Sequence, residues 1–356
     1  MVILGINISH DSSSCLIKDS KIIYFCEEER IAKKKHYEFE HETTKFYGLS
    51  KLKKYGVTEI DHVVFASFRR AREEQDKSII DNIQSELRQA GIKVLNVNYD
   101  PENHHIYHAC SAFFGSGFEE AAALVMDGSG AYTTKYPYYR EIESIYKLYP
   151  AGISTLYKHY SKLDNRFLNH EIINDPHEIM LSNAISSGQL FFEWCQNVGL
   201  IEVGKYMGLS SYGILDDDEE WINYVGGNPI FNAKCRQRIA EHGEVNVKWS
   251  SLTKEFQRHA NIAKKVQHET KVYTIKLIRK ALDQAKTSNI VLSGGYFLNC
   301  VNNYEYVKAF PGVNFYIDPM AYDGGTALGA AVFQYKSIHN SEARIEPIKN
   351  LYLGGQ

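Results

Sequence analysis

The most informative stretch of this chain is Ala121-Ala122-Ala123-Leu124-Val125-Met126-Asp127-Gly128-Ser129-Gly130, an apolar run that ends in a turn of Asp, Gly and Ser. Six consecutive apolar residues bounded by turn residues predict a buried β-strand. Further strands are expected at residues 131–135 and 144–148. The sequence therefore predicts a β-meander with a polar turn directly after its first strand.

The same pattern occurs at the N-terminus. Residues 2–8 are apolar and lead into the polar turn Ser9-His10-Asp11-Ser12, and short strands are expected at residues 15–17 and 22–25. Helical stretches follow both meanders. A structural repeat of this kind, without sequence identity, predicts two α/β lobes that face a cleft. Residues 152–243 are expected to be mainly helical.

The bulk composition limits the class of protein. A length of 356 residues is enough for two domains or subdomains, and the net charge of -3 gives no reason to expect non-specific binding to nucleic acid or membranes. The six cysteines include no CxxC pair, which indicates reduced thiols in a cytoplasmic protein. The N-terminus begins directly with a strand, and no signal peptide or transmembrane run is expected.

A candidate metal site comes from a pair of histidines. If residues 103–112 are helical, His104 and His108 lie on one face, one turn apart, and two imidazoles at that spacing can bind one divalent metal ion. Asp127 follows a buried strand, and Asp323 opens a Gly-rich turn before another helix. The alternative is that the two histidines are surface or helix-capping residues.

Two Gly-containing segments are candidates for ligand binding. Three glycines surround Lys205 in residues 204–213, which predicts a tight loop with a cation directed at a ligand, although such loops often only turn. Gly294 and Gly295 follow a predicted strand and precede a helix, where backbone amides favour an anion or a ribose-phosphate. The alternative is a close strand-to-helix turn that requires glycine.

Taken together, these motifs resemble the NodU/CmcH family of O-carbamoyltransferases. The matching blocks occur in order along nearly the whole chain, at residues 3–13, 27–36, 104–109, 204–213, and 292–300 with 323–331. The resemblance implies an α/β protein with the actin-like ATPase (ASKHA) fold, built from two RNase H-like βββαβα subdomains around a cleft. The implied segments are 1–120, completed by a C-terminal helix at about 323–336; 121–335, with a helical insert at about 152–243; and a tail, 337–356.

The resemblance also implies a reaction. In this family a YrdC-like domain makes carbamoyl-adenylate from carbamoyl phosphate and ATP, and the actin-like domain transfers the carbamoyl group to an acceptor hydroxyl. Iron or zinc (Fe²⁺ or Zn²⁺) is held by the histidine pair and two aspartates, here His104, His108, Asp127 and Asp323. Family acceptors imply a small-molecule alcohol such as a sugar, an antibiotic or a hydroxymethyl nucleobase.

Roles for the remaining site residues follow from the same resemblance. His10 is the candidate base, because an imidazole titrates near neutrality and can deprotonate a hydroxyl; the alternative is a histidine that only caps the turn. Lys35 would neutralise the leaving phosphate or position the acyl group. Gly294, Gly295 and Asn299 would hold the nucleotide, with Lys205 near it.

The sequence departs from the family pattern in two ways. The tail 337–356 ends where a YrdC-like domain would follow, so we expect that this chain alone cannot make carbamoyl-adenylate and works with a YrdC-like domain or subunit. Ala131 occupies a position where an acid is expected, and Ser210-Ser211 replaces Ala-Pro, which affects the shape of the ligand cleft. A homodimer is also compatible with the sequence.

Two alternative functions stay open at this point. The chain is similar to the TsaD family, which makes threonylcarbamoyl-adenosine in tRNA, but such a subunit would need a basic face, and the net charge of -3 argues against one. A non-catalytic nucleotide-binding module would bind ATP without using the histidine pair. Metal content separates that module from both enzymes.

Overall fold

The computed structural model describes residues 1–39, 45–68, 73–162, 171–174, 177–215, 219–242 and 254–339. Most of the predicted tail, 337–356, lies outside the described residues. The N-terminal meander is confirmed and consists of β1 (Val2–Asn7), β2 (Ser13–Lys18) and β3 (Lys21–Glu27). The elements after it are α1 (Glu28–Ala32), a 3₁₀ helix (Tyr47–Tyr55), β4 (Glu59–Ala66), α2 (Glu73–Gln89) and β5 (Lys93–Tyr99).

These five strands form one sheet in the order β3-β2-β1-β4-β5. Strand β2 pairs antiparallel with β1 and β3, whereas β4 runs parallel to β1 and β5 runs parallel to β4. The parallel neighbours need crossover connections, and the helical segments before β4 and between β4 and β5 provide them. The first lobe therefore has the strand order and directions of an RNase H-like unit.

The second sheet repeats this order. After α3 (His104–Ser116), the sheet contains β6 (Ala121–Met126), β7 (Arg140–Tyr149), β8 (Gly152–Ser161), β9 (Glu171–Asn174), β10 (Glu178–Ser182), β13 (Asn289–Ser293) and β14 (Asn314–Ile317). Its order is β14-β13-β6-β7-β8-β10-β9. Strands β6, β7 and β8 are an antiparallel meander, and β13 and β14 run parallel to β6. Two RNase H-like units in one chain are the architecture of the actin-like ATPase fold, as expected.

Two details of the second meander differ from the sequence prediction. Residues 131–135 are not a strand: Tyr132 makes only an isolated bridge to Arg140, and Thr133 N–H donates to Tyr139 in a small loop. The second strand is β7, and the third is β8, which lies in the segment predicted to be mainly helical. Residues 152–243 in fact combine strands and helices.

The remaining elements follow in chain order. They are α4 (Ser187–Asn197), α5 (Val203–Leu209), β11 (Ile222–Val225), β12 (Asn228–Phe231), α6 (Lys234–His242), α7 (Lys254–Ala285), α8 (Cys300–Ala309) and α9 (Thr326–His339). Strands β11 and β12 form a separate two-stranded sheet. Among the described residues, no helix combines the length and the apolar character that crossing a membrane requires. The division of the chain into subdomains at residue 120 stays a prediction.

Helix α9 joins the two lobes. It packs against β1, β2 and β4 of the first sheet and against α3. Gly329 makes this contact close, because a Cβ atom at this position would overlap the backbone carbonyl of Tyr107 in α3. The small residue at this position therefore allows α9 to pack tightly against α3. The close packing brings the start of α9 next to the histidines of α3.

Candidate metal centre and active site

Four side chains from three distant segments converge between the lobes. His104 and His108 come from α3, Asp127 follows β6, and Asp323 lies in the 3₁₀ turn before α9. One ligand atom from each lies within 4.8 Å of the others. Nε2 of His104 is 3.3 Å from Oδ2 of Asp127, and Nε2 of His108 is 3.4 Å from Oδ1 of Asp323. These are the four residues predicted as metal ligands.

Local structure explains why the four meet. Pro101 begins a 3₁₀ turn that leads directly into α3, so His104 and His108 lie in its first turns and share one face. Strand β6 is wholly buried and ends at Met126, so Asp127 is the first residue beyond the sheet. Loops at the carboxyl ends of parallel strands are where α/β folds place ligand sites.

The chemistry of the donor set fits a divalent metal ion. The side chains of His104, His108 and Asp323 are nearly inaccessible to solvent. Although Nε2 of His108 is 3.4 Å from Asp323, it forms no hydrogen bond within the described part of the chain. It costs free energy to bury a polar atom without a hydrogen-bond partner or to hold two carboxylates close together. A bound cation would compensate both costs. Two imidazoles and two carboxylates suit Zn²⁺ or Fe²⁺.

The electrostatics keep both carboxylates ionised. Burial raises the pKa of Asp323, but His10, His104 and His108 outweigh this effect and hold the pKa well below its usual range. The pKa of Asp127 is also lowered, since contact with His104 outweighs burial. Burial lowers the pKa of His104, yet Asp323 and Asp127 raise it above its ordinary value. Ionised carboxylates are the form that binds a metal.

His10 lies beside this cluster, at the turn after β1. Its Nδ1 is 3.6 Å from Oδ2 of Asp323, and the side chain is 46% exposed. The hydroxyl of Ser9 donates to the same oxygen of Asp323 at 2.8 Å, and the ring of Phe68 packs against His10 with centroids 5.3 Å apart. The predicted base therefore lies next to the candidate metal centre and is partly open to solvent.

The two predicted lysines come together at a different point. Nζ of Lys35 is 3.4 Å from Glu202, and Nζ of Lys205 is 3.8 Å from the same carboxylate. Lys35 follows α1 in the first lobe, whereas Lys205 lies in helix α5 and not in the predicted tight loop. Gly204 and Gly208 have open space around them and adopt the helical backbone of α5, so this segment forms a helix instead of a loop.

The Gly294-Gly295 turn lies against the candidate metal centre. Gly294 has φ +97°, and a Cβ atom there would overlap the backbone of Met126. A Cβ atom at Gly295 would lie 3.1 Å from Oδ1 of Asp127. Glycine is thus required at the first position by backbone conformation and close packing. Because Gly295 has no side chain, nothing from this position covers the carboxylate of Asp127.

Asn299 is occupied by contacts within the protein. Its Oδ1 accepts from the backbone N–H of Asn302 at 3.1 Å and so caps α8. Its amide also exchanges hydrogen bonds with Gln267 at 2.9 and 3.1 Å. These contacts account for Asn299 in structural terms, and its predicted role in nucleotide binding stays a prediction.

Sequence reasoning did not assign roles to Ser9, His36 or Glu202. Ser9 holds Asp323, and Nδ1 of His36 lies 2.7 Å from Oδ1 of Asp11. Asp11 has φ +59°, an uncommon conformation for a residue other than glycine.

A signal for Ser9 was its position in the polar turn after the first strand, beside the candidate base. Glu202 gave no local signal, because its partner Lys35 belongs to the other lobe.

Comparison with solved structures supports the fold. Full-length HypF in its phosphate- and nucleotide-bound form is similar to this chain with a TM-score of 0.57 at 14% identity, over 96% of this chain and 56% of HypF. HypF of T. kodakarensis gives a TM-score of 0.59 at 13% identity, over 97% of this chain and 49% of that protein. Similarity at this level of identity concerns the fold alone.

Sequence comparison identifies the family. An uncharacterised protein of Synechocystis is 27% identical over 99% of this chain and 60% of its own length, and the nodulation protein NolNO of Sinorhizobium fredii is 23% identical over 97% of this chain and 49% of its own. The chain thus spans between 49% and 60% of the length of these relatives. The family described as "Carbamoyltransferase N-terminus" matches residues 2–332, and the chain belongs to this family.

Proposed function

We propose that this chain transfers a carbamoyl group from carbamoyl-adenylate to the hydroxyl of a small-molecule alcohol. The family supports carbamoyl transfer in general. The use of carbamoyl-adenylate and an alcohol is supported by the position of Asp323 between the candidate base and the candidate metal-binding histidines. Its Oδ2 is 3.6 Å from His10, and its Oδ1 is 3.4 Å from His108. An alcohol beside His10 would therefore be close to a carbonyl held at the cluster.

The transfer step needs one proton acceptor and one leaving group. The alcohol oxygen forms a bond to the carbamoyl carbon, its proton passes to His10, and the bond from that carbon to the phosphate oxygen breaks, so that AMP leaves. Asp323, which accepts a hydrogen bond from Ser9, lies 3.6 Å from the His10 ring, and Phe68 packs against the same ring. A base held within reach of the attacking hydroxyl contributes about 10²- to 10⁴-fold in rate.

The proposal assigns His104, His108, Asp127 and Asp323 to a divalent metal ion, Fe²⁺ or Zn²⁺. When bound, such an ion would supply Lewis acidity toward the carbamoyl carbonyl. The protein itself contributes ionised carboxylates and buried imidazoles. Because three of these four side chains are almost fully shielded from solvent, the cluster also keeps bulk water away from one side of the acyl group.

Lys35 and Lys205 are proposed to bind nucleotide phosphate. Both ammonium groups already approach one carboxylate, that of Glu202, so a phosphate of similar size and charge can take its place between them. Gly294 and Gly295 keep side chains out of the space next to Asp127 and leave room for a substrate there.

A second module is proposed to supply the adenylate. The family description refers to an N-terminal part, and the relatives are longer than this chain. We propose that a YrdC-like domain or subunit forms carbamoyl-adenylate from carbamoyl phosphate and ATP, as the resemblance implies. The acceptor belongs to the class of sugars, antibiotics or hydroxymethyl nucleobases.

The direct test supplies the activated donor. The purified chain would be loaded with Fe²⁺ or Zn²⁺ and mixed with synthetic carbamoyl-adenylate and a panel of alcohols from the three classes. Mass spectrometry of the O-carbamoylated alcohol and quantification of AMP should show matched amounts of both products. If AMP appears without any carbamoylated alcohol, or if the adenylate is bound and remains intact, the transferase proposal fails. Intact, bound adenylate would favour the non-catalytic nucleotide-binding module.

A further inference from the structure

Arg140 is a cation at the edge of the metal centre that the sequence did not single out. It is the first residue of β7 and is half-buried. Its Nε donates to the carbonyl of Gly130 at 3.1 Å, and Nη2 is 3.5 Å from the carbonyl of Ser129. Both acceptors belong to the turn that begins with Asp127. The guanidinium is therefore anchored to the same turn that carries a metal ligand.

Two aromatic rings fix the plane of this guanidinium. Its Cζ lies 5.0 Å from the centroid of Tyr132 and 5.8 Å from that of Phe68. The ring of Phe68 also packs against His10 and against His104, with centroids 5.3 and 6.0 Å away. One ring thus contacts the cation, the candidate base and a metal-binding histidine. Arg140 lies on the same side of the cleft as the proposed chemistry.

The guanidinium has unused hydrogen-bonding capacity. Of its five N–H groups, Nε and one on Nη2 are directed at backbone carbonyls. Within the described part of the chain, no carboxylate forms an ion pair with it. Burial lowers the pKa of Arg140, and the negative groups Tyr132, Asp127 and Asp323 oppose this effect only in part. Those two aspartates face the histidines. Among the described residues, Arg140 therefore has no carboxylate of its own, and its remaining N–H groups are available to an anion.

We infer that Arg140 binds the phosphate of the adenylate substrate through its free N–H groups. This inference rests on the proposed function, because in carbamoyl-adenylate the phosphorus and the carbonyl carbon share one bridging oxygen. If the carbonyl lies at the histidine and aspartate cluster, the phosphate lies beside that cluster. Arg140, which is anchored to the turn that begins with Asp127, can then reach the phosphate. The planar fork of arginine matches phosphate geometry. It also stabilises the negative charge that grows on the phosphate as the bond to the carbonyl carbon breaks.

The test uses AMP and adenosine, which differ only in the phosphate and need no turnover. Their affinities for the full chain would be measured by calorimetry for the wild type, Arg140→Met and Arg140→Lys. Arg140→Met keeps the apolar stem between the two rings and removes the charge. It should weaken AMP binding about 10- to 100-fold and leave adenosine binding unchanged. Arg140→Lys should recover part of the loss. Arg258→Met, an exposed arginine in α7, is the control and should bind AMP like the wild type.

Several outcomes would overturn the assignment. These are an unchanged AMP affinity in Arg140→Met, an equal loss for AMP and adenosine, or no AMP binding by the wild type. Unchanged metal content in each variant shows that the cluster is still assembled. If AMP binding depends on Arg140 but the wild type transfers no carbamoyl group, the phosphate site stands and the transferase proposal fails. The two results are thus separable.

Discussion

Nε2 of His108 lies 3.4 Å from Oδ1 of Asp323, and this contact connects helix α3 with the turn before α9. The contact depends on the tight packing of α9 on α3, where Gly329 meets the backbone of Tyr107. The four-residue cluster therefore combines a helix that follows the first sheet with two segments that follow strands of the second sheet.

Removal of the histidine pair should abolish metal binding. A His104→Ala/His108→Ala double variant loses two of four ligands, and the remaining carboxylates, Asp127 and Asp323, form a poor site for Fe²⁺ or Zn²⁺. Elemental analysis after anaerobic, chelator-free purification should find about one metal ion per wild-type chain and almost none in the variant. His62→Ala, on β4, is the control and should retain the metal. Equal metal content in all three proteins would remove these residues from the site.

Replacement of His10 should impair turnover and spare metal binding. His10→Ala removes the proposed proton acceptor, and we expect the rate at saturating carbamoyl-adenylate to fall about 10²- to 10⁴-fold. Metal content should match the wild type, because His10 contacts Oδ2 of Asp323, whereas His108 contacts Oδ1. A wild-type rate in this variant would show that the histidine only caps its turn.

Neutralising Glu202 should strengthen nucleotide binding. Glu202 holds Lys35 and Lys205, and its pKa is lowered by the hydrogen bond from Lys35 and by the charge of Lys205. If phosphate displaces this carboxylate, Glu202→Gln removes a competitor, and we expect ATP affinity to rise by about two- to fivefold at low salt. Lys205→Met should have the opposite effect. A Glu202→Gln variant that binds ATP more weakly would mean that the carboxylate assists binding.

The sequence predicted the repeated meander and all four members of the cluster, but not every strand. Strand β7 was difficult to recognise because it carries Glu141 and Glu143, which resemble the exposed face of a strand or a loop. Both are buried, and their partners come from β8: Lys158 is 2.8 Å from Glu141, and His159 is 3.1 Å from Glu143. Buried pairs between neighbouring strands leave no periodic pattern in a single strand. The contact between Lys35 and Glu202 escaped prediction for a similar reason, since it is non-local.

Alanine at Gly294 should destabilise the fold far more than alanine at Gly312. Both glycines have a positive φ, at +97° and +93°, so both substitutions carry backbone strain. Only Gly294 also faces the backbone of Met126, whereas Gly312 has open space around its Cβ position. Urea denaturation should show a loss of about 1 kcal/mol for Gly312→Ala and several kcal/mol more for Gly294→Ala. Similar losses of stability in both variants would mean that the turn after β13 can shift away from β6 at little cost.

Glu28 should make the stability of the first lobe depend on pH. Its buried carboxylate accepts backbone N–H groups from Tyr47 at 2.7 Å and Gly48 at 2.9 Å. Burial raises the pKa of Glu28 from 4.5 to about 7, and these hydrogen bonds only partly oppose the effect. The folded state thus binds the proton more tightly than the unfolded state. Stability is full at a pH below about 4.5 and is lost as the pH rises to about 7, by roughly 3 kcal/mol for this group.

The Glu28→Gln variant isolates this contribution. Glutamine resembles the protonated acid, so the free energy of unfolding of the variant should lack the decline that Glu28 causes in the wild type between pH about 5 and about 7. Urea denaturation across this range measures it, and the difference between the two proteins cancels the titration of other groups. Glu119→Gln, an exposed residue before β6, is the control and should keep the wild-type slope. If Glu28→Gln also keeps that slope, the carboxylate of Glu28 is ionised throughout the range, and its two backbone hydrogen bonds outweigh the cost of burial.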